Sequence, residues 1–154
     1  MIMRIEEEIN QTKPFKSNHH RALVNLIFTS NWMSSYIKSK LKPFEITLQQ
    51  YNVLRILRGA GEPISTSCIR SRMVERMADT SRLVERLCTK GWVNKEACCS
   101  DNRLVDITIS DQGTELVEHI ESRVSIVEAI TQNLNDEEAR LLGELLDKLR
   151  GTES

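Results

Sequence analysis

Gly91 divides the chain by apolar period. Before it, apolar residues recur at three- and four-residue spacing, and directly after it they alternate. Trp92-Val93-Asn94-Lys95-Glu96-Ala97 reads as a short strand. Cys98 to Asn102 has turn character, and Leu104-Val105-Asp106-Ile107-Thr108-Ile109 alternates again. Two alternating runs joined by a polar turn predict a hairpin. Helical signals dominate everywhere else, so the expected class is mainly α with a small β-hairpin.

The helices can be placed from their caps. Leu23, Leu26, Ile27, Met33, Ile37 and Leu41, with Trp32 and Tyr36, predict a long amphipathic helix over 18–42 that Pro43 stops. Thr47 and Gln50 form a capping box, and Ile46 and Tyr51 occupy the positions of a hydrophobic staple. The helix that follows ends at Gly59-Ala60-Gly61. Ser65 caps a short third helix running to about Met73, and Val74 to Met77 reads as a turn. Asp79 caps a fourth helix that ends near Lys90-Gly91. Beyond the hairpin, Ser110 caps a helix with a stripe from Leu116 through Val117, Ile120, Val124 and Val127 to Ile130. This predicts one long helix over 111–131. Asn135 and Glu138 open a final Leu-rich helix ending at Gly151.

The 154 residues carry a net charge of −1, which on its face argues against a polyanionic partner. Its distribution reverses that argument. Residues 1–103 sum to +7 and residues 104–154 to −8. A basic body with an acidic tail suits a chain that meets phosphate with one part only. No apolar run approaches a membrane span, and the N-terminus, with Glu6, Glu7 and Glu8, lacks a signal-peptide core. A cytoplasmic protein is expected, whose four cysteines are thiols and include no Cys-x-x-Cys pair. No metal site, cofactor or enzymatic arrangement is visible: there is no Gly-rich phosphate loop and no nucleophile beside a base.

Three helices followed by a two-strand hairpin match a winged helix-turn-helix. On a wheel of the fourth helix, Thr80, Leu83, Val84 and Leu87 share an apolar arc, while Ser81, Arg82, Glu85, Arg86 and Thr89 fall opposite. Two guanidiniums and small hydroxyls on one face suit base edges and phosphates in a major groove. At the hairpin tip, Arg103 can enter a minor groove, with Asp101 placed to hold its guanidinium.

The run from Asp79 to Val93 resembles the recognition helix and first wing strand of MarR-type transcription regulators. Asp101-Asn102-Arg103, followed by Val105 to Gly113, resembles that family's Asp-x-Arg wing and its exit into a helix. The likeness spans about residues 18–150. It implies a homodimer on a pseudo-palindromic double-stranded DNA operator, acting as a repressor that a small phenolic or anionic ligand releases. It also implies three parts: a dimerisation part over 1–45, a DNA-binding lobe over 46–110, and helices over 111–154 that complete the dimerisation region. The long 111–131 and Leu-rich helices carry more apolar stripe than one small lobe can cover, which independently favours a dimer.

Carried over residue by residue, the likeness puts the DNA contacts in the helix that begins Asp79, Thr80, Ser81, Arg82 and continues to Arg86. It adds Asp101 and Arg103 of the wing. Ser65, Thr66 and Ser67 open the preceding helix, whose N-terminus can meet a phosphate. His19, Trp32, Tyr36 and Arg55 are the candidates for lining an effector cleft, against the plainer reading of core aromatics and solvated histidines. Two alternatives stay open. Cys98 and Cys99, near Lys95, would make the wing a thiol switch. The lobe would otherwise be a protein-interaction module that does not bind DNA.

Overall fold

A computed structural model describes residues 3–75, 78–97 and 105–151. Two compact units divide the chain, Met1–Lys40 and Leu41–Ser154. The first contains α1 (Ile5–Glu8) and nearly all of α2 (Asn18–Leu41). Its apolar residues Leu23, Ile27 and Trp32 are exposed along α2. At the N-terminal end of this unit, Arg21 Nε donates to Glu6 Oε1 at 2.5 Å.

The second unit begins with a 3-10 turn, Lys42–Phe44, with Pro43 in its first positions. Then come α3 (Leu48–Ala60), β1 (Ile64–Ser65), α4 (Thr66–Arg72), α5 (Thr80–Thr89), β2 (Val93–Ala97) and β3 (Val105–Ile109). Three further helices follow: α6 (Asp111–Arg123), α7 (Ile126–Thr131) and α8 (Asp136–Arg150). Local chemistry sets these boundaries. Thr47 Oγ1 accepts from Gln50 N at 3.2 Å while Gln50 Oε1 accepts from Thr47 N at 3.1 Å. Asn135 and Glu138 repeat the reciprocal arrangement at the start of α8. These side chains satisfy amides that have no partner in the first helical turn.

The hairpin gains a third strand. The sheet order is β1-β3-β2, with Ile64 opposite Ile107 and Lys95 opposite Ile107 from the other side. Ile107 is thus the fully buried centre of the sheet. It joins a core of Val53, Leu54 and Leu57 from α3, Ile69 from α4, and Val84 and Leu87 from α5. Val117 and Ile120 of α6 complete that core. No helix among the described residues is long and apolar enough to cross a membrane.

One expected element is divided. The helix predicted over 111–131 stops at Arg123, because Val124 (φ −136°, ψ 98°) and Ser125 (φ −75°, ψ 81°) leave helical geometry before α7 begins. Val loses side-chain freedom in a helix and Ser competes for backbone bonds, so this pair is a weak point in the run. The apolar stripe continues across the break and conceals it from a periodicity argument. On α8, Leu145 and Leu149 stand 54% and 67% exposed, with Leu141 and Leu142 exposed beside them.

Candidate DNA interface

The helix-turn-helix is formed by α4 and α5, packed on α3. Asp79 Oδ1 accepts from Arg82 N at 3.1 Å and so caps α5. Its carboxylate is spent on the helix's first turn. Ser65 Oγ accepts from Cys68 N at 3.2 Å, caps α4, and lies 2.8 Å from Ser67 Oγ. Ser81, Arg82 and Arg86 are all exposed on α5, opposite the buried Val84 and Leu87. Among the described residues, the arginines in salt bridges are Arg21, Arg55, Arg58, Arg140 and Arg150, which leaves out both Arg82 and Arg86. Glu85 therefore does not hold either guanidinium.

Thr80 requires a correction. It is 0% exposed, and its hydroxyl faces Met73 Sδ at 3.5 Å and the Ala78 carbonyl at 3.4 Å. The first residue of α5 sits on the same arc as Val84 and Leu87 and packs inward, so its side chain cannot reach DNA. Thr66 is half-buried and Ser67 exposed at the start of α4. Asp101, Arg103, Cys98 and Cys99 lie outside the described residues.

The lobe exposes further cations beside those of α5. Arg70 and Arg72 occupy the last turn of α4, and Lys95 projects from β2. The 7 residues of α4 are too few for a helical pattern to mark Arg70 and Arg72 in the sequence.

Of the effector candidates, His19, Trp32 and Tyr36 lie in the first unit and Arg55 in the second. Trp32 and Tyr36 stack at 6.0 Å with an interplanar angle of 28°. His19 is exposed on the same helix, about 20 Å before Trp32 at the rise of an α-helix. Within the second unit, Arg55 stands 5.9 Å over the Tyr51 ring and 3.8 Å from Glu121. There Arg58 donates two bonds to Glu121, at 2.7 and 2.9 Å. The Arg58 bonds hold the Glu121 carboxyl below its ordinary 4.5. Burial pushes the Tyr51 phenol up, and the nearby Glu121 charge adds to the shift.

A helix-turn-helix followed by a β-hairpin defines a winged helix-turn-helix fold. The model of the MarR family matches residues 46–105, which covers the helix-turn-helix and the start of the second hairpin strand. The chain is 27% identical over 115 residues to the multiple antibiotic resistance protein MarR of Salmonella typhimurium, covering 73% of this chain and 79% of that protein. It is also 27% identical over 108 residues to the HTH-type transcriptional regulator PecS of Dickeya dadantii, covering 65% of this chain and 64% of that one. A mutant MarR from E. coli, solved in complex with operator DNA, superposes with a TM-score of 0.76 at 25% identity. That match covers 88% of this chain and 99% of that one. The chain is thus similar to MarR-type transcription regulators, through the family model over its helix-turn-helix and through relatives and a solved structure over most of its length.

Proposed function

We propose that the protein is a repressor that acts as a homodimer on a pseudo-palindromic operator. Ser81, Arg82 and Arg86 read the major groove, and Arg103, held by Asp101, reaches the minor groove. Asp79 and Ser65 serve by capping α5 and α4, and Thr66 and Ser67 line the phosphate-facing end of α4. The observation that carries this reading is the exposed Ser81-Arg82-Arg86 face on a helix whose opposite side is locked into the core.

The exposed leucines of α8 and the exposed apolar residues of α2 support a dimer, with residues 1–45 and 111–154 as the dimerisation parts and 46–110 as the DNA lobe. The protein acts by binding, without catalysis, in the cytoplasm. A small phenolic or anionic effector is proposed to relieve repression, with the Trp32–Tyr36 stack as its aromatic platform.

The test is a gel-shift titration on the DNA upstream of the protein's own gene. Binding should weaken steeply with salt, as release of condensed counterions requires. Arg103→Ala should lower affinity while leaving the fold intact. Absence of binding at low salt would contradict the proposal.

A further inference from the structure

Lys90 directly follows α5, the helix that carries Arg82 and Arg86. It is exposed and lies on the basic lobe, where a simple role in binding phosphate would be the first expectation. Its ammonium is engaged instead by the protein's own groups. Nζ donates to the Glu45 carbonyl at 2.7 Å. It also stands 4.3 Å from the centroid of the Trp92 ring. Indole is the strongest of the aromatic partners for a cation.

These contacts join three segments. Glu45 closes the 3-10 turn that leads into α3, and it adopts a left-handed backbone (φ 53°), rare for a residue with a Cβ. Trp92 opens the wing. Its amide donates to the Leu87 carbonyl at 3.0 Å, and its carbonyl accepts from Ser110 N at 3.0 Å. Lys90 itself is the C-cap of α5, and its amide donates to the Arg86 carbonyl at 3.1 Å. One ammonium therefore ties the end of the recognition helix to the wing on one side and to the turn before α3 on the other.

We infer that Lys90 is a positioning residue for DNA reading, which sets the angle of α5 by bridging Glu45 and Trp92. The inference rests on the DNA-reading role of α5. Loss of the ammonium frees the C-terminal end of α5 to tilt, which degrades base contacts that need exact alignment. Contacts with phosphates, which tolerate small displacements, are affected less.

The experiment compares wild type, Lys90→Met and Lys90→Arg. The probes are a duplex enriched by the wild-type protein from a random library and a scrambled duplex of the same composition. Lys90→Met keeps an aliphatic stem and removes the charge. It should lose about three- to tenfold in affinity for the enriched duplex, while affinity for the scrambled duplex and its salt slope stay at wild-type values. Lys90→Arg should restore most of the discrimination.

Equal loss on both duplexes, with a salt slope reduced by about one, would show a phosphate contact and overturn the inference. An unchanged ratio between the two duplexes would also overturn it. Amide hydrogen exchange on the free protein supplies a readout that does not depend on DNA. Lys90→Met should speed exchange at Glu45, Gly91 and Trp92 without lowering the melting temperature appreciably, and unaltered exchange there contradicts the bridge. Should the random library yield no preferred sequence while exchange responds as expected, the failure lies with the DNA-reading role and not with the bridge.

Discussion

The Cα of Gly113 packs against the carbonyl of Trp92 so closely that a Cβ built at Gly113 would lie 2.1 Å from that oxygen. The same Cβ would sit 2.9 Å from Ile109 Cγ1. Gly113 is in the first turn of α6, where its amide donates to Ser110 Oγ at 3.0 Å. The absence of a side chain lets α6 begin directly on the base of the wing. Trp92 and Ile109 belong to that base, so the first turn of α6 and the hairpin are held as one piece.

Gly113→Ala should therefore destabilise the protein, although Ala is the better helix former. Relief of a backbone clash requires movement of β2 or α6, and overpacking of this kind costs about 1–3 kcal/mol. Urea denaturation monitored by circular dichroism measures the change. A variant as stable as wild type would refute the close approach.

The Arg58–Glu121 pair makes stability depend on acid. Its partners are 63 residues apart and join α3 to the last turn of α6. Because Glu121 is held below its ordinary 4.5, the pair's contribution is present above that pH and disappears as pH falls through the depressed value. The Arg58 guanidinium stays charged throughout. The site is partly solvated, so the contribution is about 0.5–1 kcal/mol. Denaturation of wild type and Glu121→Gln should differ by this amount near neutrality and converge on acidification. A gap that stays constant with pH would exclude the ion pair as its source.

Glu45 carries backbone strain at φ 53° with an exposed side chain. Asn tolerates the left-handed region better than Glu. Glu45→Asn should raise stability by about 0.5–1 kcal/mol. The carbonyl that accepts from Lys90 is kept, so DNA affinity should not fall. Thermal denaturation and DNA titration of the one variant test both statements.

The sequence was most legible where a side chain answers to its own backbone. Thr47, Ser65, Asp79, Ser110 and Asn135 each cap the helix expected of them, because capping involves residues only two or three positions apart. Features made by distant partners were not legible. Ile64–Ser65 become a strand only because β3 supplies Ile107 and Asp106. Arg58 and Glu121 carry no local mark of their pairing. Thr80 has the hydroxyl of a DNA-contacting residue, but tertiary packing places it in the core. The Val124–Ser125 break was hidden because apolar period reports which face is buried and not whether the backbone stays helical. On the proposed interface, the exposure of Ser81, Arg82 and Arg86 follows the wheel, since the buried arc of α5 leaves them no other direction.

Sequence reading by the α5 guanidiniums is the step on which the proposed function rests. Its most direct test is the affinity of folded Arg82→Ala and Arg86→Ala for the enriched duplex and the scrambled duplex across a range of salt. A base-reading arginine should cost about 1–3 kcal/mol on the enriched duplex and relax the preference at one position, with a smaller loss on scrambled DNA. If both variants retain wild-type affinity and preference for the enriched duplex, α5 is not the reading helix and the account fails.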